Sequence, residues 1–317
     1  MRYTAMVLQV REVMKRFNAN LALDGCSLEV EKGEVIGLLG PNGAGKTTCI
    51  RSIIGLIPVD EGTITVFGMH QDGRNKEIRK KIGYVTQEIT LYEEMSGKDN
   101  LAFFASLYGM KKQEIAVRMA EVAAIIGLEG RLADKVKHYS GGMKRRLNIG
   151  CALMHSPDLV IMDEPTVGID PQSRSFILRS VKELAKEGAT IIYTSHYIEE
   201  VEAVASRIYI MDNGHIIAQG TLAQLVARIQ GDHVIEVEVR LGTEEVRTRL
   251  LSIPDVKEVV LEGNRYRIIV PAGIPILDKI LHVFANLPLV SVNTKQPNLE
   301  DVFLTLTGKQ LRDEVKS

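Results

Sequence analysis

The chain has 317 residues, enough for one large domain or two ordinary ones, and its 45% hydrophobic and 25% charged residues are typical of globular proteins. The formal net charge of -1 provides no basic footprint for nucleic acid, so we expect no nucleic-acid partner. No apolar run approaches the roughly 18 residues of a membrane-spanning helix, and residues 1–6 contain no hydrophobic signal segment. We therefore expect a cytoplasmic protein.

In chain order, the first strong pattern is an alternation of apolar and polar residues over 7–40, which predicts short antiparallel strands. A buried strand at 35–39 leads into a glycine-rich loop, and a helix should follow it. The loop fits the pattern G-x-x-x-x-G-K-[ST] with Gly40, Pro41, Asn42, Gly43, Ala44, Gly45, Lys46 and Thr47, followed by Thr48. Backbone N–H groups in such a loop converge on phosphates, and the helix N-terminus adds positive potential. The segment therefore predicts nucleotide binding.

Beyond the loop, the hydrophobic pattern predicts a parallel sheet covered by helices. The elements that indicate it are two helices between about 97 and 127, a strand at 159–162, a helix at 172–187 and a strand at 190–193. The short basic run Lys144, Arg145 and Arg146 is interpreted as a solvated helix face.

A break at 230–232 precedes a smaller unit with the predicted order β-α-β-β-α-β-α, which is ferredoxin-like in outline. Its predicted elements are the strands 233–240, 255–261, 264–270 and 288–293 and the helices 243–252, 274–286 and 298–307. We therefore predict an α/β nucleotide-binding domain at 1–230, with a helical subdomain at about 88–155. A small α+β domain should occupy 231–317.

Four further motifs follow the phosphate loop in a fixed order. They are Tyr84-Val85-Thr86-Gln87, Tyr139-Ser140-Gly141-Gly142-Met143-Lys144-Arg145-Arg146-Leu147, Leu159-Val160-Ile161-Met162-Asp163-Glu164-Pro165-Thr166 and Thr194-Ser195-His196. Over about residues 7–230, this arrangement resembles the ATP-binding-cassette (ABC) ATPases, which are P-loop nucleotide hydrolases. The resemblance implies a RecA-like core, an N-terminal antiparallel β subdomain and a helical subdomain, with ATP and Mg²⁺ as ligands.

The chemistry of the nucleotide site can be assigned to particular side chains. Lys46 supplies a positive charge to the β- and γ-phosphates, and the hydroxyl of Thr47 is placed to bind Mg²⁺. Asp163 ends an apolar strand beside the loop, where its carboxylate can hold the magnesium shell. Glu164 should point to the opposite side of that strand and polarise the attacking water.

Three further roles are implied only by the resemblance. Gln87 would contact magnesium and the attacking water and would report to a membrane partner. His196 would contact the γ-phosphate as the switch histidine of the family. Phe17 aligns with the aromatic residue that stacks on adenine, although a single Phe near a strand end is more often a core residue.

Ser140, Gly141 and Gly142 precede an amphipathic helix and provide a second helix N-terminus suited to an anion. In the ABC family this signature loop caps the γ-phosphate that the other subunit binds. The chain holds one phosphate loop and one signature, so the resemblance implies a head-to-tail homodimer, or a pseudo-dimer with a similar cassette. Asp170 is retained from the family sequence Ser-Ala-Leu-Asp and is assigned to the same nucleotide-binding set.

The signature departs from the family's commonest form, Leu-Ser-Gly-Gly-Gln, at Tyr139 and Met143, and a methionine cannot make an amide hydrogen bond. These variants and the segment 297–308 resemble the ABC-2 type exporter branch, which serves drugs, lipids, polysaccharides and sodium. That branch implies a separately encoded membrane permease, a cytoplasmic helix of which would bind at the region around Gln87 to Asn100. It also implies a peripheral position on the inner face of the cell membrane.

Two alternatives are distinguished by sequence features. Soluble cassette ATPases that remodel nucleic acid or ribosomes carry two cassettes with a charged linker, or long coiled-coil insertions, and this sequence has neither. The segment 233–308 could bind a regulatory ligand, but it holds no convergent polar or glycine-rich motif, which favours a dimerising or packing role.

Overall fold

The computed structural model describes residues 5–228, 232–271, 274–285, 287–295 and 298–307. The chain forms two compact units, and the division falls between Leu222 and Ala223. The sequence places the boundary at 230, a residue that lies outside the described ones, as do both ends of the exporter-like segment 297–308. No helix of the described residues is long and apolar enough to cross a membrane.

Strands and helices alternate along much of the first unit. The strands are β1 (Met6–Phe17), β2 (Asn20–Glu31), β3 (Val35–Leu39), β4 (Glu61–Val66), β5 (Met69–His70), β6 (Ile82–Val85), β7 (Leu159–Asp163), β8 (Thr190–Ser195), β9 (Arg207–Asp212) and β10 (His215–Gly220). The helices are α1 (Lys46–Ile53), α2 (Lys76–Lys80), α3 (Gly97–Leu107), α4 (Lys112–Ile126), α5 (Gly141–Leu153), α6 (Pro171–Lys186), α7 (Ile198–Val204) and α8 (Leu222–Arg228), and the division of the units falls within the last of them.

The N-terminal sheet is antiparallel in the order β2-β1-β4-β5. The alternation over 7–40 predicts short strands, whereas β1 and β2 each span 12 residues. Both strands continue to this length because the irregularities in their register bend the pair of strands without ending its hydrogen bonding. One register shift lies between Val10 and Val13, where Glu12 has a φ of 47°. The predicted antiparallel subdomain is thus present, with longer strands than expected.

The central sheet has the order β10-β9-β3-β8-β7-β6, and only β10 joins it in antiparallel orientation. Every residue of β3, β7 and β8 is buried, as expected for strands covered by helices on both faces. The carboxyl ends of these three neighbouring strands meet at one edge of the sheet, which is where ligands bind in such folds. That edge brings the phosphate loop next to the segments that follow β7 and β8.

Helices α3, α4 and α5 form the predicted helical subdomain, with α5 buried along most of its length. The helices α4 and α5 approach closely at Gly150, where an added Cβ would lie 2.7 Å from Cδ1 of Ile126. Ser140 caps the N-terminus of α5, because its hydroxyl accepts a hydrogen bond from the backbone N–H of Met143 at 3.2 Å. The start of α5 is therefore fixed locally by the signature sequence.

The second unit contains β11 (Asp232–Val239), α9 (Glu244–Leu251), β12 (Glu258–Glu262), β13 (Arg265–Pro271), α10 (Leu277–Val283), β14 (Leu289–Lys295) and α11 (Leu299–Thr307). Its sheet is antiparallel in the order β12-β13-β11-β14. A separate core includes Val237, Leu250, Tyr266 and Phe284. The element order and the sheet order are those of a ferredoxin-like fold, as the sequence predicts.

Candidate functional site

The phosphate loop connects β3 to α1 through glycines with left-handed backbone angles. Gly43 has a φ of 82°, and Gly45, the residue before α1, has a φ of 106°. A Cβ at Gly45 would also lie 2.6 Å from the carbonyl oxygen of Ala22. Any other residue there would therefore be both strained and obstructed.

Lys46, the first residue of α1, is 4% exposed. Its Nζ donates to the carbonyl oxygens of Gly40 at 2.7 Å and Pro41 at 3.1 Å, and lies 3.1 Å from Oε1 of Glu164. A buried ammonium with three donors thus faces two carbonyls of its own loop and one carboxylate. It is the kind of fixed positive charge that suits a phosphate.

Asp163 ends β7 and accepts hydrogen bonds from three hydroxyls. Its Oδ1 lies 2.9 Å from Oγ1 of Thr194 and 3.3 Å from Oγ1 of Thr47, and its Oδ2 lies 3.3 Å from the hydroxyl of Tyr84. Burial, reinforced by the negative charge of Asp163, raises the pKa of Tyr84 to about 12, so this phenol remains a donor at neutral pH.

The oxygen set at Thr47 and Asp163 fits a magnesium ion, which takes few protein ligands beside phosphate oxygens and water. Within the described part of the chain, no group of three or more His, Cys, Asp or Glu side chains could hold a metal. The hydroxyl of Thr47 and the carboxylate of Asp163 are oxygen ligands of the kind that could hold Mg²⁺ beside nucleotide phosphates.

Glu164 follows the last residue of β7 and has a φ of 47°, so strand alternation does not govern its direction. The expectation that Glu164 points to the opposite side of the strand from Asp163 is therefore wrong. Both carboxylates reach the first turn of α1, Asp163 at Thr47 and Glu164 at Lys46. The left-handed turn, rather than strand alternation, aims Glu164.

Glu164 is held between two groups on different elements. Its Oε2 lies 3.1 Å from Nδ1 of His196, on the opposite side from the Lys46 contact, and its backbone N–H donates to Oγ1 of Thr194 at 2.9 Å. Burial acts to raise the pKa of Glu164, but the hydrogen bond from His196 and the charge of Lys46 outweigh it and lower the pKa. The carboxylate is therefore ionised at neutral pH and can accept a proton from water.

Of the groups just described, Lys46, Thr47 and Glu164 border a cavity of about 410 Å³ at the sheet edge. It is lined by Phe17, Asn20, Leu21, Ala22, Asn42, Gly43, Ala44, Gly45, Lys46, Thr47, Thr48, Gln87, Glu164 and Asn213. Phe17 ends β1, and its side chain is 43% exposed rather than part of the core. Of the other predicted residues, Gly40 and Pro41 contact Lys46, Asp163 contacts Thr47, and His196 contacts Glu164.

The remaining predicted residues, Ser140, Gly141, Gly142 and Asp170, do not line this cavity. Gly142 and Asp170 lie close together, since both approach Ser173 in the first turn of α6. A Cβ at Gly142 would fall 1.8 Å from Oγ of Ser173, and Asp170 accepts from the backbone N–H of Ser173 at 2.9 Å. The structure thus forms a second cluster from the signature loop and the loop before α6.

The interpretation of Lys144, Arg145 and Arg146 as a solvated face is wrong for the two arginines. Arg145 is 4% exposed and donates to the carbonyl oxygens of Thr86 at 2.8 Å and Gln87 at 2.5 Å. Arg146 is half-buried and donates to the carbonyl oxygen of Gly127 at 3.0 Å. Burial lowers the pKa of both guanidinium groups. Carbonyl oxygens accept hydrogen bonds from Nη atoms of both, whereas the buried Nε of each makes none within the described part of the chain.

Several residues of the site were not singled out from the sequence. Tyr84 and Thr194 both donate to Asp163. Their place in recognised motifs near strand ends is the feature of the sequence that could have identified them as site residues. Asn213 comes from the turn between β9 and β10, where an Asn-Gly pair is the sequence indication of a tight hairpin. Nothing in the pattern indicates that this turn reaches the cavity.

Comparison with known proteins identifies the class. The profile of the ABC transporter family matches residues 23–167. The linearmycin resistance ATP-binding protein LnrL of Bacillus subtilis is 44% identical over 97% of this chain and 100% of its own length. The Nod factor export ATP-binding protein I of Cupriavidus metallidurans is 36% identical over 97% of this chain and 99% of its own.

Solved structures agree with these relatives. An ATP-binding subunit of an ABC transporter matches with a TM-score of 0.64 and 32% identity, over 70% of this chain and 92% of that one. A dimeric bacterial ABC transporter cassette matches with a TM-score of 0.62 and 25% identity, over 68% of this chain and 98% of that one. The chain belongs to the ABC transporter family and is one of its ATP-binding, ATP-hydrolysing cassettes.

Proposed function

We propose that this chain is the ATPase subunit of an exporter and that it works as a head-to-tail dimer with a separately encoded membrane permease. The observation that carries the ATPase chemistry is the placement of Glu164 between Lys46 and His196 at the cavity. Support for export comes from the relatives named for linearmycin resistance and Nod factor export, which this chain matches along nearly its whole length.

In the proposed reaction, the roles are divided among neighbouring side chains. Lys46 and the N-terminus of α1 bind the phosphates, and Phe17, which also lines the cavity, stacks against adenine. Thr47, Asp163 and Gln87 would hold Mg²⁺, partly through water, and the ion would neutralise charge that develops on the phosphates. Glu164 accepts a proton from the attacking water, and His196 orients that carboxylate.

The position of the signature loop supports the proposed dimer. Ser140 and Gly141 are exposed at the start of α5, and with Gly142 and Asp170 they lie outside the cavity of their own chain. A helix N-terminus with an exposed capping hydroxyl suits an anion supplied from outside. We infer that this cluster acts on the γ-phosphate bound by a second cassette. A dimeric arrangement of a cassette with the same fold supports that inference.

Co-purification tests the membrane assignment. The full-length chain, tagged and extracted from detergent-solubilised membranes, should bring with it a multi-helix membrane protein that stimulates its Mg-dependent ATP hydrolysis. The untagged chain serves as the control. Recovery of ribosomes or nucleic acid in place of a membrane protein would support the remodelling ATPase and contradict the exporter.

A second expectation concerns the boundary between the units. A fragment of residues 1–230 should fold and bind Mg-ATP with the affinity of the full chain, because every residue that lines the cavity lies between Phe17 and Asn213. Equilibrium titration of both proteins with ATP measures this. A fragment that is folded by circular dichroism but does not bind would show that the second unit contributes to the nucleotide site.

A further inference from the structure

Glu200 is a buried carboxylate to which the proposed reaction gives no part. It lies in α7, and its side chain is 2% exposed. Its Oε2 accepts hydrogen bonds from Thr166 at 2.6 Å, Tyr193 at 3.0 Å and Ser195 at 3.0 Å, and its Oε1 lies 3.3 Å from Nε of Arg174. A buried carboxylate costs free energy unless donors or opposite charge compensate it, and here three hydroxyls on Oε2 and the charge of Arg174 beside Oε1 do so.

The partners of Glu200 come from the segments that carry the reacting groups. Thr166 is two residues after Glu164, on the loop that leads to α6, and is fully buried. Ser195 ends β8 immediately before His196. The guanidinium of Arg174, on α6, lies 4.6 Å from the ring centroid of Tyr197. One side chain therefore connects the loop after β7, the loop after β8 and helix α6.

Ser195 carries this connection to His196. Its hydroxyl donates to Glu200, while its oxygen accepts from the backbone N–H of Tyr197 at 2.9 Å. The hydroxyl thus fixes the backbone on both sides of His196, whose Nδ1 lies 3.1 Å from Oε2 of Glu164. Thr166 also donates to Glu200, and this hydrogen bond anchors the loop that begins at Glu164.

We propose that Glu200 is a positioning residue for ATP hydrolysis: by holding Ser195 and Thr166, it fixes His196 and Glu164 relative to each other. Glu200 does not line the cavity, so it acts through these neighbours rather than on the nucleotide. If Glu200 only filled space, any side chain of similar volume would serve. Three hydroxyls donate to its Oε2, however, so the position requires a hydrogen-bond acceptor. The inference rests on the roles proposed above for Glu164 and His196.

Glu200→Gln tests the proposal with little change in volume. The amide oxygen can still accept from the three hydroxyls, but the NH₂ group then replaces Oε1 and faces Nε of Arg174, donor against donor, and the negative charge is lost. The cluster must therefore rearrange, and kcat for ATP should fall by about 10- to 100-fold. The affinity for Mg-ATP should stay within about twofold, because only the hydrolytic geometry changes. Glu199→Gln is the matched control, since it removes the same charge from an exposed neighbour on α7, and its kcat should equal that of the wild type.

Ser195→Ala is the second variant, and it decides the matter if Glu200→Gln does not fold. It removes only the hydroxyl that links Glu200 to the backbone around His196, and the same fall in kcat without loss of affinity is expected. In single-turnover measurements, Glu200→Gln should cost much less in a His196→Ala background than in the wild type, because the two act in series.

Three results would overturn the positioning role: unchanged kcat in both variants, weaker ATP binding with normal kcat, or fully additive losses in the double variant. A failure of the proposed function would look different. In that case Glu164→Gln would hydrolyse ATP as fast as the wild type, whatever the Glu200 variants did.

Discussion

Glu164→Gln should bind Mg-ATP as the wild type does and stop turning it over. The substitution removes the carboxylate that accepts the proton of the attacking water, and loss of a general base lowers kcat by about 10²- to 10⁴-fold. Since the nucleotide is then not consumed, the closed pair of cassettes should accumulate. Sedimentation should show a dimer with Mg-ATP and a monomer or weaker associate with ADP.

Glu129→Gln, an exposed position beyond α4, is the control for the charge change and should retain turnover. Adding Ser140→Arg to Glu164→Gln should destroy the dimer while each chain still binds ATP, because the new side chain would stand where the facing γ-phosphate must fit. If Glu164→Gln does not associate with Mg-ATP even at high protein concentration, the isolated chain does not close by itself, and the proposed permease would have to supply the missing association energy. A monomer whose turnover per chain is independent of its concentration would contradict the composite site.

Lys46→Ala should abolish measurable ATP binding. The ammonium is buried and is held within the phosphate loop by hydrogen bonds to the carbonyl oxygens of Gly40 and Pro41. A hydrogen bond to a charged group is worth about 1.5–3 kcal/mol, and this lysine can make more than one such bond to the phosphates. The variant also deprives Glu164 of the nearby positive charge that lowers its pKa, so that pKa should rise.

Isothermal titration of the folded variant with Mg-ATP measures the loss. Lys112→Ala, on the exposed first turn of α4, removes a lysine remote from the phosphate loop and should bind as the wild type does. An affinity of Lys46→Ala equal to that of this control would invalidate the assignment of the phosphate site.

The central part of the site is local in sequence, which is why it could be predicted. The loop that holds Lys46 is continuous with its strand and helix, and Asp163 and Glu164 follow one apolar strand. The same holds for the second unit, in which each strand and helix has its own hydrophobic pattern and short connections restrict the topology.

What could not be predicted depends on contacts between distant segments. Arg145 stands in a basic run on a helix, and only the packing of α5 against the loop after β6 shows that its donors meet the carbonyls of Thr86 and Gln87. Glu200 follows another glutamate in the first turn of α7, where acidic residues are common because they suit the helix dipole. Its burial depends on Arg174 and Thr166, which periodicity does not place beside it.

Position 140, at the start of α5, meets one requirement from the helix cap and a stricter one from the proposed dimer. Helix N-caps accept Asn, Asp, Ser and Thr with little distinction, because only an acceptor oxygen is needed. Ser140 uses its oxygen for the N–H of Met143, and its hydroxyl hydrogen remains a donor for an anion. Aspartate would preserve the helix and repel a phosphate, so at this position folding permits substitutions that the proposed dimer would reject.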